Sequence, residues 1–370
     1  MRTTEPPPRI HRAARTEDAV RGLLNRWLVR RGWRPQVLPF AGYGLAGGTD
    51  DGPGSGTDGW VRLLGRVLLT PPGSRHRDPA AVRGWRRFLS APAPGVPVTV
   101  RLGGEEHQVV SGRDGYLDLV LPAALPPGRR QALVSAAGSA PVSAPLYVVA
   151  PGAGTGIVSD IDDTVMVTAL PRPLLAFWNT FVRHETRRLP VPGMPLLFHA
   201  LLDAHPGAFV VYLSTGPWNI APALEQFLAR NGYPPGPLLL TDWGPTTSGW
   251  FRSGREHKQA QLRRLLGELP ELSWILLGDD GQHDPDIYTG ITQDFPGRVG
   301  AVVIRQLTVI EQVLTHGTPE PLEQSEDGDP VAAEGAVVEA AVAEVRAPDG
   351  VQLLAELGRR GLLPTAPTWP

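Results

Sequence analysis

Between Gly156 and Ile304, five short apolar runs alternate with stretches of amphipathic helical spacing: Ile157 to Ser159, Phe209 to Leu213, Leu238 to Thr241, Trp274 to Leu277 and Val299 to Ile304. A helical crossover carries the chain back to the end at which the previous strand began, so successive strands lie parallel. The pattern predicts an α/β domain with a mainly parallel sheet, helices on both faces, and a ligand site beyond the C-terminal strand ends. Two of the five runs deliver paired acids at that end, Ser159-Asp160-Ile161-Asp162-Asp163-Thr164 and Leu277-Gly278-Asp279-Asp280. Paired carboxylates there repel one another unless a cation neutralises them, and hard carboxylate oxygens suit Mg²⁺.

The chain before this region has a different texture. From Arg34 to about Ala150, runs such as Trp60 to Leu69, Val96 to Leu102 and Tyr116 to Leu121 are separated by Gly and Pro clusters at the spacing of antiparallel strands, predicting a small sandwich or barrel. Asp50 to Gly59, rich in Gly and Asp, reads as a loop between strands. With 370 residues the chain is long enough for two cores plus tails. The expected division is residues 1–35 as tail and helix, 36–150 as the β-rich domain, 151–315 as the α/β domain, and 316–370 as a largely disordered acidic tail. Within the first segment, residues 1–11 read as disordered. Ala13 to Arg31 spaces Val20, Leu23, Leu24, Trp27 and Leu28 helically among arginines. That basic amphipathic helix reads as a solvated face packed on its own domain, although its arginines also suit a membrane surface or an acidic partner. In the tail, Glu320 to Val345 holds eight acids and no Lys or Arg, whereas Val351 to Leu363 regains Leu at helical spacing.

Charge and composition exclude several classes. A formal net charge of -2 gives no global reason to bind nucleic acid. The absence of cysteine removes disulfides, thiolate zinc sites and a cysteine nucleophile. No stretch approaches about 20 uninterrupted apolar residues. The N-terminus has Arg, Glu and Pro where a signal peptide needs an apolar core, so the expected location is cytoplasmic. Gly42, Gly44 and Gly47 spell GxGxxG, but the residues that follow are Gly, Thr and Asp, which do not open a helix; the string reads as a glycine-rich turn.

Beside the acid pairs, two further elements bear on chemistry. Val210 to Gly216 is an apolar run ending in Ser214, Thr215 and Gly216, whose hydroxyls and backbone N–H groups suit phosphate oxygens, although many strands end this way. Lys258 is the sole lysine, all other cationic side chains among the 35 being arginine, and it opens a helix-like stretch ending near Leu266. A compact ammonium kept where arginine is otherwise used suggests a need for a point charge. Each element also has a plain structural reading: Asp163-Thr164 suits a helix N-cap, and Gly278-Asp279-Asp280-Gly281 suits a turn.

In the order acid pair, hydroxyl, lysine, acid pair, the sequence resembles the haloacid dehalogenase superfamily. The matching motifs are Asp160-x-Asp162-x-Thr164, Ser214, Lys258 and Gly278-Asp279-x-x-x-x-Asp284. More narrowly, Ser159 to Thr164, Leu213-Ser214-Thr215-Gly216-Pro217-Trp218 and Gly278 to Pro285 are similar to the catalytic domain of the actin-patch phosphatidate phosphatase family. Gly42-Tyr43-Gly44 and Gly65-Arg66-Val67 resemble the β-rich domain that precedes it, so the likeness spans about residues 36 to 310. The resemblance implies a haloacid dehalogenase-like Rossmannoid fold, preceded by a smaller sandwich-like β domain. It implies Asp160 as nucleophile, Asp162 as acid and base, and Ser214 and Lys258 as phosphoryl-binding groups, with Thr215, Gly216 and Trp218 beside the substrate. Mg²⁺ would be held by Asp160, Asp279, the carbonyl of Asp162 and, as a further ligand or an acceptor behind the ligands, Asp284; Asp280 is the competitor for that last place.

The implied substrate is a lipid phosphate such as phosphatidate, with peripheral membrane contact. Leu174, Leu175, Phe177, Trp178 and Phe181, together with Trp218, Trp243, Trp250 and Phe251, suit an apolar pocket for it, or an ordinary core. A soluble phosphomonoester is the alternative. A DxD-dependent sugar transferase leaves Lys258 and Asp284 unexplained, and a non-catalytic binding module has no reason to keep clustered carboxylates.

Overall fold

The computed structural model describes residues 22–47, 59–72, 91–152, 154–168, 188–241, 254–281, 283–308, 311 and 342–363. The expectations for residues 1–11, for most of the loop from Asp50, for Leu174 to Phe181, for Trp243, Trp250 and Phe251, and for the acidic stretch 320–341 lie outside these residues. The chain divides into two compact units: Met1–Gly152 with Ser214–Leu228 and Pro235–Gln261, and Ala153–Leu213 with Ala229–Pro234 and Leu262–Pro370.

In the first unit, helix α1 (22–30) precedes β1 (Arg34–Leu45), β2 (Trp60–Thr70), β3 (Ala91–Pro92), β4 (Pro97–Leu102), β5 (Glu105–Val110), β6 (Tyr116–Pro122), β7 (Gly128–Ala136) and β8 (Val142–Val149). The described strands form one sheet of order β3-β2-β1-β8-β7-β4-β5, with β6 paired to β2. It is mixed rather than wholly antiparallel, since β1 and β8 pair parallel over Gly42–Leu45 and Leu146–Val149. Parallel neighbours need a long connection, and here the whole run from β2 to β7 supplies it. Alternate residues of these strands, among them Val61, Leu63, Val98, Val100, Ala132, Val134 and Leu146, build one buried cluster.

Gly42 and Gly44 lie within β1, where the β1–β2 register shifts between Phe40 and Tyr43. A Cβ would meet the Arg62 carbonyl oxygen at 2.2 Å from Gly42 and the Trp60 carbonyl oxygen at 2.1 Å from Gly44. The GxGxxG string therefore serves the close approach of two strand backbones, and no helix follows it among the described residues. Gly44→Ala is expected to lower unfolding free energy by about 2 kcal/mol or more, as overpacking does. An unchanged urea midpoint would refute that.

The second sheet, of order β11-β10-β9-β12-β13-β14, is built from β9 (Gly154–Asp160), β10 (Phe209–Pro217), β11 (Leu238–Thr241), β12 (Leu272–Asp279), β13 (Val299–Arg305) and β14 (Ala343–Ala347). The β10–β9, β9–β12, β12–β13 and β13–β14 pairs are all parallel, as the alternation of runs and helices requires. The helices are α2 (Met194–Ala204), α3 (Ala221–Arg230), α4 (Gly254–Glu268), α5 (Asp284–Asp294) and α6 (Gly350–Arg359). Strand β9 is buried along Gly156 to Asp160, which explains its uninterrupted apolar run.

Residues 343–363, assigned above to the tail, are part of this unit. Val345 and Ala347 of β14 are buried. The Asp349 carboxylate accepts from the Gln352 N–H at 2.9 Å and caps α6, and Gly350 N–H donates to the Pro192 carbonyl at 2.9 Å.

Candidate active site

Strand β9 ends at Asp160 and its neighbour β12 ends at Asp279, with Leu277 registered against Ser159. The parallel sheet thus brings both carboxylates to the same edge, the C-terminal one, where the sequence pattern placed the ligand site. Asp284 opens α5 and is 1% exposed; its Oδ2 accepts from Asp279 N–H at 3.5 Å. A Cβ on Gly278 would lie 2.7 Å from that same oxygen, so the glycine is what leaves room for Asp284 to fold back over the strand end. One carboxylate oxygen from each of Asp160, Asp279 and Asp284 can be chosen so that all three lie within 4.8 Å of one another, and all three residues are buried.

Asp280 has a different job. Its Oδ1 accepts from Leu307 N–H at 2.7 Å, and its own N–H donates to the Arg305 carbonyl. Burial pushes its carboxyl above the usual range, against the opposing pull of the Leu307 N–H and of Arg346. Geometry therefore favours Asp284 over Asp280 as the companion of Asp160 and Asp279.

Asp160-Ile161-Asp162-Asp163-Thr164 forms a hydrogen-bonded loop, and no helix starts at Asp163 or Thr164 among the described residues. Val165 and Met166 N–H both donate to the Ile161 carbonyl, and Asp163 N–H donates to the Met166 carbonyl. Asp163 sits at φ 59, and its Oδ1 accepts from Thr168 N–H at 2.7 Å. The loop buries Asp162 and Asp163, and with them Thr164, whose hydroxyl has no hydrogen-bond partner among the described residues. Tyr288 reports the field of the cluster. Its hydroxyl donates to the Leu277 carbonyl at 2.8 Å, and burial, with the carboxylates of Asp284, Asp160 and Asp279 adding to it, drives the phenol well above its ordinary value.

Two cations near this loop escaped the sequence reading. Arg305, last residue of β13 and registered against Asp279, is 4% exposed. Its Nη1 donates to the Asp163 carbonyl at 2.7 Å, its Nε to the Pro348 carbonyl at 3.1 Å, and its Nη2 to Glu311 at 2.6 Å. Burial raises the Glu311 carboxyl, but the bonds from Arg305 and Thr308 outweigh it and leave the group below its usual range. Arg188 is half-buried, and desolvation lowers its pKa while Asp162 and Asp163 pull it back up. A lone arginine after an apolar run, or one between Arg187 and Leu189, carries no motif, so neither was visible before folding.

The remaining residues singled out from sequence belong to the first unit. Ser214 follows Leu213, which is registered against Asp160. It is fully buried, and its Oγ accepts from Gly216 N–H at 3.0 Å. The Thr215 carbonyl accepts from the Thr241 hydroxyl at 2.8 Å. The Trp218 ring stacks on Phe40, centroids 4.3 Å apart. Lys258, on α4, is 5% exposed, an unusual depth for a lysine, which is seldom buried without a charged or polar partner.

Residues 155–306 match the family described as Phosphatidate phosphatase APP1, catalytic domain. The resemblance is to the APP1 family. The segment that matches holds every acid of the cluster. Phosphatidate phosphatase APP1 of Saccharomyces cerevisiae is 30% identical over 232 residues, covering 59% of this chain and 39% of its own length. An uncharacterized protein of Schizosaccharomyces pombe is 24% identical over 155 residues, covering 42% of this chain and 25% of its own. The chain thus spans well under half the length of these curated relatives. Among solved structures, a chain of the Pnkp1/Rnl/Hen1 complex overlaps 41% of this chain and 50% of its own at 16% identity, with a TM-score of 0.29.

Proposed function

We propose that the chain is a Mg²⁺-dependent phosphomonoester hydrolase of haloacid dehalogenase-like, Rossmannoid architecture, preceded by a sandwich-like β domain, and that it acts on a lipid phosphate such as phosphatidate through an aspartyl phosphate. The observation that carries the reading is the buried trio made by Asp160 and Asp279, at adjacent parallel strand ends, with Asp284 at the start of α5. The match to the APP1 catalytic domain over the same stretch supports it.

The donor set fits the metal. Three carboxylates with no sulfur or imidazole among them suit a hard divalent cation, and their shared burial is costly without one. Bound Mg²⁺ supplies the positive charge that lets an anionic nucleophile approach an anionic phosphate. Asp160 attacks phosphorus in line, taking the phosphoryl group as the ester oxygen leaves. Asp162 gives that oxygen a proton and then removes one from the water that hydrolyses the acyl phosphate. Ser214 and Lys258 bind the phosphoryl oxygens, with Thr215, Gly216 and Trp218 nearer the rest of the substrate; Lys258 contributes a fixed positive charge that grows more valuable as the site dries. A lipid substrate also calls for peripheral contact with a bilayer.

The test is a phosphate-release screen over phosphatidate, other lipid phosphates and soluble phosphomonoesters, each with Mg²⁺ and with chelator. Release from lipid phosphates that chelator abolishes is the expected result. Activity confined to soluble esters would remove the lipid substrate and leave the mechanism; no release at all would defeat both. Calorimetric titration with Mg²⁺ adds an independent readout: Asp279→Asn and Asp284→Asn should each weaken binding by about tenfold or more. Parental affinity in both variants would count against the trio.

A further inference from the structure

Helix α1 is amphipathic in an unusual sense, because apolar residues occupy its solvent side. Leu28 is its buried anchor at 7% exposure, and the Asn25 side-chain amide donates to the Pro92 carbonyl at 2.7 Å, tying the helix to the strand region. Val29 is 53% exposed, and beside Leu28 round the helix the residues Leu23, Leu24 and Trp27 are 61%, 50% and 48% exposed. At about 100° per residue these three fall within one arc of roughly 100°. A helix that only covers its own domain turns polar residues outward, and this one does not.

The charges around that arc have one sign. Arg26 and Arg30 border it on one side, and the Arg31 guanidinium lies 4.1 Å from the centre of the Trp27 ring. No acid occurs from Gly22 to Arg31. From Met1 to Arg31 there are eight arginines against Glu5, Glu17 and Asp18, while the whole chain carries a net charge of -2. Among the described helix residues, the charge beside the exposed apolar side chains is therefore wholly positive. Tryptophan suits a boundary between apolar and wet surroundings, and arginine can extend from such a boundary toward phosphates. No helix among the described residues is long and apolar enough to cross a membrane.

We infer that the outer face of α1, formed by Leu23, Leu24 and Trp27 and rimmed by Arg26, Arg30 and Arg31, is a docking surface for an anionic lipid bilayer. Leu and Trp enter the headgroup boundary to a depth of about 5–10 Å, and the arginines meet lipid phosphates. Charge complementarity selects this occupant over a second copy of the chain, which would bring like charges together. The inference deepens the lipid-phosphate reading and rests on it only for why the enzyme should seek a bilayer.

The experiment is co-flotation of the full chain with phosphatidylcholine vesicles containing about 30% phosphatidylserine. Phosphatidylserine is a phosphodiester and offers no phosphomonoester to hydrolyse, so flotation scores docking and not capture by the catalytic site. The parent should float, and less so at high salt. Leu24→Glu/Trp27→Glu should weaken flotation by about tenfold or more. Arg26→Glu/Arg30→Glu should do so only on anionic vesicles. Both pairs are exposed, so the unfolding temperature and the rate on a soluble phosphomonoester should stay at parental values. Parental flotation of both variants overturns the inference. So does a concentration-dependent dimer that the Trp27 variant abolishes while vesicles capture neither protein. If the parent floats and the variants do not, yet no lipid phosphate is hydrolysed, the docking surface stands and the proposed substrate falls.

Discussion

Asp160→Asn is expected to abolish phosphate release while leaving the fold intact or more stable. The side chain ends a strand that is buried from Gly156 onward, next to Asp279, and with Asp284 it makes three buried carboxylates that converge. An amide cannot become an acyl phosphate, so turnover should fall by at least about a thousandfold, the scale on which a lost nucleophile is felt. In metal-free solution the variant should unfold at an equal or higher temperature, because one of the repelling charges has gone. With saturating Mg²⁺ the order reverses, since the parent gains more from the ligand than the variant does. Turnover near the parental rate would remove Asp160 as the nucleophile. A variant less stable than the parent in metal-free solution would show that the trio is not under electrostatic strain.

Arg305→Gln should lose activity and stability together, for separable reasons. The guanidinium holds the carbonyl of Asp163, one residue beyond the proposed acid and base, in a loop whose geometry includes a left-handed residue. Released from that bond, Asp162 wanders, and a misplacement of about 1 Å costs on the order of a hundredfold in turnover. Stability should fall by about 3 kcal/mol, because Glu311 loses its buried cationic partner and the Pro348 and Asp163 carbonyls lose their donors. The double variant Arg305→Gln/Glu311→Gln separates the two effects: it should recover part of the stability and none of the turnover. Recovery of both would make Arg305 a purely structural residue. A single variant with turnover within about twofold of the parent would show that the Asp163 carbonyl does not need it.

Much of the second unit was legible in the chain because its signals are local. Ile157 to Ser159, Trp274 to Leu277 and Ala301 to Ile304 are buried on both faces and so read as apolar runs, a pattern that survives inspection without coordinates. Asp160 and Asp279 announced themselves by following such runs. The first unit was legible as β structure, but its topology was not. Nothing near Gly42 or Leu146 says that β1 and β8 pair parallel, because the pairing is decided by everything folded between them. The Gly42 and Gly44 backbones look like a turn until Trp60 and Arg62 are seen lying against them.

The tail shows the limit most plainly. Ala343-Glu344-Val345-Arg346-Ala347 has one large apolar residue and sits after an acidic stretch, so its own propensity argues for no strand. It becomes β14 because β13 offers an open parallel edge, and Pro348 then supplies a carbonyl to Arg305.

The chain's own order of residues determined the alternation of strands and helices, the edge at which acids emerge, and the hard-oxygen character of the site, because periodicity and side-chain type act over a few residues. Tertiary structure alone decided that Asp284 and not Asp280 joins Asp160 and Asp279, that Arg305 grips the loop between them, and that α1 turns Leu and Trp outward. Those outcomes depend on which strand end lies beside which, and that is a property of packing over long sequence separations.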